Sequence, residues 1–337
     1  MKKQLSPTTV FFLLLAVLIG SILLSVSIGR YPIQIGELLG ILFSKIFPIE
    51  PFWTPVQESL LLQHRLPRII LACLVGCSLS VAGAAYQGVF QNPMAAPDIL
   101  GASSGAAFGA ALAILFDLGK TMIVIFAFGF SILSVVLVMY MGTRTRGKRY
   151  LGLILAGIMV GSLASSGTSF IKMVADPEDQ LPAITYWLMG SLNGSKPSDV
   201  VFALVPMTLG LIPLILLRWR INLLTLGEDE AKTMGINVPH LRSVVIVCAT
   251  LITAASVAVS GVIGWVGLVI PHLSRRLVGN NYRYLLPTAM VMGGIFLLVV
   301  DSMSRNLLTT EIPIGILTSF IGIPFFMYLI LGEGERH

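Results

Sequence analysis

The chain has 337 residues, 55% hydrophobic and 11% charged, with a formal net charge of +6. A soluble domain carries about 25% charged residues, so that class is excluded, and several apolar runs reach the length of a bilayer-spanning helix. The alternating ten-residue strands of an outer-membrane barrel are missing, and no stretch is long and polar enough to fold as a separate soluble domain. The sequence therefore reads as an all-α polytopic membrane protein, one transmembrane domain over residues 1–337.

In chain order, Lys2 and Lys3 precede an uncharged run at 10–28. It exceeds the core of a signal peptide and has no A-x-A site after it, which predicts a retained first span. Further spans are predicted at 66–90, 99–116, 121–141, 151–174, 200–217, 243–259, 261–273, 285–303 and 312–331, ten in all. The eighth is short and glycine-rich, so it is a half-span or is shielded by protein, because bare backbone in lipid is costly. Ten spans leave both termini on one side. That side collects 14 of the 22 Lys and Arg residues and the other side 8, which predicts cytoplasmic termini. The basic balance reflects topology and is no argument for nucleic acid.

The loops follow by side. The first outer loop, 30–64, carries Pro48, Pro51 and Pro55 and reads as a surface excursion. NPMAAPD at 92–98 is an inner turn whose prolines cannot continue a helix, and TRTRGKRY at 143–150 is an inner basic loop. An outer acidic loop at 176–199 has an apolar, aromatic stretch at 181–192, read as a short interfacial helix. The inner polar island at 218–242 has its own helical pattern. From Gly227 it exposes Glu228, Asp229, Glu230 and Lys232; Leu226, Ala231 and Met234 form a thin apolar stripe, and Gly235 stops it. An acidic first turn suits a helix N-terminus. A helix docking onto a soluble partner and a solvated connector both fit these residues. The second span begins after LPR and the seventh after PHLR, each running apolar to a glycine, Gly83 and Gly261. An offset of five spans reverses orientation, as inverted repeats do.

Candidate chemistry is sparse. Gly101, Ser103 and Gly105 match the G-x-S-x-G of hydrolases, but Gly101, Gly105 and Gly109 open an apolar helix at the four-residue spacing of close-packed membrane helices. His64, His240, His272 and His337 form no metal-binding pattern, Cys73, Cys77 and Cys248 fall in apolar runs as packing residues, and there is no Walker A sequence. Asp98, Lys172, Asp301 and Arg305 all lie at span ends, so the midspan charges that mark ion pathways are not found. This leans against an ion-coupled secondary transporter and toward a transporter powered from outside the chain. Arg65 and Arg68, at the head of the second span, and Arg305, after the ninth, stand on the outer side. Three readings fit them: receiving acidic residues of a partner, binding headgroups, or local pairing, as of Arg305 with Asp301 at i,i+4.

RLPRII at 65–70, the run through Gly83 to QNPMAAPDILGASSG, LILAG at 153–157, LTLGEDEAKTMGI, GWVGLVIPHLSRRLVG at 264–279, LLPTAMVMGG at 285–294 and EIPIGILTSFIGIPFFMYLI at 311–330 occur in that order. Together they resemble the permease subunits of the iron-siderophore, haem and vitamin B12 (metal-chelate) class of ABC importers, over nearly the whole chain from Arg65 onward. The resemblance implies ten spans per subunit in an inverted-repeat arrangement in a prokaryotic inner membrane. It further implies a permease dimer (a homodimer is expected), two cytoplasmic ATPase subunits that bind ATP and Mg, and an extracytoplasmic substrate-binding protein. The permease itself is no enzyme and holds no cofactor. By the same resemblance Gly227, Glu228, Asp229, Ala231 and Gly235 belong to the coupling segment that inserts into the ATPase. Arg65, Arg68 and Arg305 dock the binding protein. Asn92 and Met94 form one cytoplasmic gate, Tyr150 and Leu151 a second. The last pair departs from the small hydroxyl residues of the related B12 permease, so a B12-sized cargo is not assumed. Siderophores, haem, cobalamin and metal oxyanions such as molybdate stay open.

Overall fold

The computed structural model describes residues 5–29, 33–45, 47–48, 50–144 and 149–334. Among these there are helices and no strands. In order they are α1 (Pro7–Ser27), α2 (Ile35–Ser44), α3 (Pro55–Ser59), a π-helical turn (Leu60–Arg65), α4 (Leu66–Val89), α5 (Ala102–Leu115), α6 (Gly119–Arg144), α7 (Arg149–Val174), α8 (Gln180–Leu188), α9 (Pro197–Leu224), α10 (Glu228–Thr233), α11 (Val238–Ser260), α12 (Val266–Val278), α13 (Tyr282–Asn306) and α14 (Ile314–Gly334). Among the described residues, seven helical runs are long and apolar enough to cross a membrane: α1, the continuous run from α3 through α4, α6, α7, α9, α11 and α13. The apolar helices α5 and α14 are shorter in their described parts.

α4 is the axis of the molecule, buried along almost its whole length between α13, α11, α9 and α12. Its glycines explain how. A Cβ on Gly76 would collide with the Gly293 carbonyl of α13, and one on Gly83 with the Gly267 carbonyl of α12. Helices in lipid gain no hydrophobic drive from meeting each other, so bare backbone contact at small residues supplies the packing. A buried hydrogen bond between the Tyr86 and Thr250 hydroxyls, 2.9 Å, joins α4 to α11. The predicted small-residue stripe behaves likewise: Gly105 and Gly109 receive the α6 backbone at Phe130 and Phe126, while Gly101 turns left-handed (φ +74°) against Gly157 and Gly161 of α7.

Each predicted span contains a helix, and two expectations are corrected. The eighth helix lies at Val266–Val278 rather than 261–273, because residues 261–265 are not helical: Gly261 has φ +67° and Trp265 φ +70°. The backbone here is shielded by protein. Ser191 N–H donates to the Ser260 carbonyl at 2.7 Å, Gly190 packs on Val262, and the Ile314 and Gly315 amides reach back to Gly190 and Met189. The first outer loop is also more than a surface excursion. α2 and the stretch after it bury Leu38, Ile41, Trp53 and Leu61, and α3 enters α4 without a break. The π-helical turn falls just before Pro67, whose missing N–H removes one rung of the α-helical ladder.

Candidate functional sites

The helices run between two ends. One gathers the start of α4, the finish of α11 and α13, and the short helix α8, which the sequence places at 181–192 and the structure at Gln180–Leu188. The other gathers the finish of α4 and α9, the start of α7 and α11, and α10.

At the α8 end the three predicted docking arginines meet, each already engaged within the chain. Arg68 Nε donates to Asp301 Oδ1 at 2.8 Å and its Nη1 to Glu311 at 3.0 Å. Arg305 pairs with Asp301 Oδ2 at 3.1 Å and donates to Ser25 Oγ at 2.8 Å. Arg65 Nη1 donates to the Val26 carbonyl at 2.9 Å, tying α1 to the π-helical turn. Arg65 is 6% exposed, Arg68 7% and Asp301 0%. Arg68 and Asp301, both buried, and Arg305 and Glu311, both partly buried, thus form a group of balanced charge; a carboxylate with no exposure needs such partners. The Asp301–Arg305 pair was legible at i,i+4 spacing. Arg68 with Glu311, 243 residues apart, carries no sequence signal.

At the opposite end α10 stands out from the bundle as the polar island predicts. Gly227 is its N-cap at φ +130°, and Gly235 follows it at φ +78°, both conformations that favour glycine. Of the expected apolar stripe, Ala231 alone is buried; Leu226 and Met234 are 54% and 57% exposed. The Ile236 amide closes the helix onto the Ala231 carbonyl at 3.1 Å. Glu228 forms an ion pair with Arg242, a buried residue in the first turns of α11. Asp229 pairs with Lys232 at 3.0 Å on the open surface. The outcome is a short helix, fastened through Ala231 and Glu228, that presents Asp229, Glu230, Leu226 and Met234 outward. Arg242 was not singled out from the sequence, though it occupies in HLR the position Arg68 occupies in LPR. Each arginine is buried near the start of its helix and holds a carboxylate from a neighbouring segment.

The predicted gate residues lie at this same end. Asn92 Oδ1 accepts from the Met94 amide at 2.9 Å, and the Ala95 amide donates to the Asn92 carbonyl at 3.1 Å. Pro93 and this side-chain turn hold the segment stiff, with Met94 52% exposed. Asp98 Oδ1 accepts from Ser103 N–H at 2.7 Å, capping the entry to α5. That bond gives the Ser103 region a structural role. Tyr150 and Leu151 begin α7; Leu151 is 47% exposed, and the Tyr150 side chain lies outside the described residues. A cavity of about 680 Å³ between α8, the 262–264 segment and α14 is lined mainly by apolar groups, among them Leu188, Val262, Ile316 and Phe320.

Long apolar helices, a stiff turn at one end and an acidic helix held clear of the bundle define a multi-pass transport protein. The profile of the FecCD transport family matches residues 15–332, and the chain belongs to that family, the permeases of metal-chelate ABC importers. The molybdate import system permease protein MolB of Haemophilus influenzae is 40% identical over 334 residues, 98% of this chain and 97% of that protein. The cobalamin import system permease protein BtuC of Halobacterium salinarum is 40% identical over 276 residues, 81% of this chain and 73% of that protein. A solved inward-facing structure of a metal-chelate type ABC transporter superposes with a TM-score of 0.87 at 39% identity, covering 96% of this chain and 99% of that one.

Proposed function

We propose that this chain is half of a homodimeric permease that crosses the prokaryotic inner membrane ten times, with both termini cytoplasmic. It imports a metal chelate or a metal oxyanion delivered by an extracytoplasmic binding protein. Seven long apolar runs support the count, and α5, α12 and α14 complete it. α5 and α12, with 14 and 13 residues, are too short to span alone and adjoin irregular backbone, whereas α14 has 21 residues. The inverted repeat is supported by α4 and α11, the two most buried of the long helices, each entered through a buried arginine.

The observation that carries the reading is α10. An exposed acidic helix joined to two long helices by short connections, and braced by Glu228–Arg242, is suited to receive motion from a soluble partner and pass it to α9 and α11. The sequence of events follows. The loaded binding protein settles at the α8 end. Two ATPase subunits, which bind ATP and Mg, close on hydrolysable nucleotide and push α10. The pathway opens outward, takes up cargo, and releases it past the Asn92–Met94 turn and the start of α7. Docking through Arg65, Arg68 and Arg305 requires acidic groups of the binding protein to share or displace Asp301 and Glu311. An apolar chamber with few fixed charges holds cargo weakly, as a translocation path must.

Cargo size is the finer question. The two relatives named above carry a small oxyanion and a large corrinoid on the same fold, so the fold does not discriminate. Tyr150 and Leu151 are bulkier than the small hydroxyl residues of the B12 permease and favour a narrower passage. The test is purification of the native complex in mild detergent with every subunit counted, followed by reconstitution. One ATPase copy per permease, with ATP-dependent uptake of ⁹⁹Mo-molybdate or a ⁵⁵Fe-siderophore, supports the importer. A chain that purifies alone and transports without ATP is a secondary carrier.

A further inference from the structure

α4 ends in a turn that glycine normally makes. The Asn92 amide reaches back to the Gln87 carbonyl at 3.2 Å, and the residue between helix and turn, Gln91, has φ +49°. Glycine is the default at that position because a side chain in the left-handed region crowds the backbone. A glutamine held there against this preference points to a use for its side chain. Its Nε2 donates to the Leu224 carbonyl at 2.6 Å.

Leu224 is the last residue of α9 and is 3% exposed. The final carbonyls of a helix have no partner inside it. Here the Asn222 and Leu223 carbonyls are taken by the Thr225 and Leu226 amides, and that of Leu224 by Gln91. Thr225 and Leu226 alone separate this bond from Gly227 and α10. Beyond Gln91 the turn is stiffened by Asn92 and Pro93, and its far side is seated where Pro97 lies against Gly267 of α12. One side chain therefore connects the finish of α9 to the turn that carries Met94.

We propose that Gln91 is the strut through which displacement of α10 and the end of α9 reaches the 92–97 turn, a positioning residue for gating that rests on the importer reading above. A stiff turn pulled at one end moves as a body. Without the amide, α9 and α10 move and the turn is left behind.

The test uses the assembled permease–ATPase complex with a Met94→Cys reporter, whose modification by a maleimide is timed without nucleotide and with ATP plus vanadate. The reporter's rate is expected to change by ~5-fold or more, the lower end of coupling between linked sites. Gln91→Gly removes the strut and relieves the left-handed backbone; Gln91→Glu keeps the length but turns a donor into an acceptor facing a carbonyl. Each is expected to abolish most of the nucleotide response while the complex elutes intact. Because Gly relieves the left-handed backbone and Glu leaves it as it is, a shared loss assigns the effect to the amide. A full nucleotide response in either variant overturns the strut. A reporter that ignores nucleotide with Gln91 in place overturns the gate reading and the strut with it.

Discussion

Asp301 has no exposure and two cationic partners, Arg68 and Arg305. Arg68 also holds Glu311, so it is the hub of the group. Breaking a buried ion pair from one side leaves a stranded charge and costs roughly 3–5 kcal/mol, whereas removing both charges costs far less. Arg68→Met is therefore expected to lower the thermal unfolding midpoint of the detergent-solubilised protein substantially, and Asp301→Asn in the same chain to restore much of it, leaving Arg305 and Glu311 as balanced charges. Equal losses in the single and double variants would show that the arginine contributes by packing alone. This group also changes how charge reversal at the α8 end has to be read. Arg65→Glu together with Arg68→Glu is expected to abolish uptake and spare basal ATPase activity. Since Arg68 supports the fold, that result argues for docking only when the variant complex retains its subunits and its unfolding midpoint.

Helices at this scale are held by contacts that tolerate no added atom. The Gly76–Gly293 crossing of α4 and α13 leaves no room for a Cβ on either side. Gly293→Leu is expected to cost at least the ~1–3 kcal/mol of overpacking, read as a lower unfolding midpoint, whereas Gly20→Leu on α1, where a Cβ meets nothing within 4 Å, is expected to be silent. α10 presents the opposite case, an element fastened at few points. Arg242→Ala removes the brace on Glu228, and Glu228→Lys sets an ammonium beside the buried guanidinium. Both are expected to lower the ATPase subunit retained on purification or to uncouple hydrolysis from uptake. Asp229→Ala removes only an exposed i,i+3 pair, worth about 0.2–0.5 kcal/mol. It should leave the fold alone, so any loss of retained ATPase in that variant reports direct contact with the partner.

For the whole molecule, hydropathy alone made each apolar run legible as a helix, and glycine with acidic residues made α10 legible, because both signals are local. The arginines were legible as a group, and Arg305 as a partner of Asp301 at i,i+4 spacing, but Arg68 was not legible as the partner of Asp301 and Glu311, since nothing in a linear chain brings residue 68 to residues 301 and 311. Gln91 was illegible for a related reason: its partner is a backbone carbonyl, and any residue supplies one. Orientation is the property that composition addresses most directly. α9 has 28 residues, about 42 Å at 1.5 Å per residue, against a hydrocarbon core of about 30 Å, so its two flanks must face opposite compartments. Exposed Asn193 precedes it and exposed Lys232 follows it. In the proposed orientation, which follows the excess of Lys and Arg, Lys232 faces the cytoplasm. Asn193→Cys should therefore react with a membrane-impermeant maleimide in cells whose outer barrier has been removed, and Lys232→Cys only after the inner membrane is opened. The reverse pattern would put α10 outside, where no ATPase could reach it, and would overturn both the orientation and the coupling role built on it.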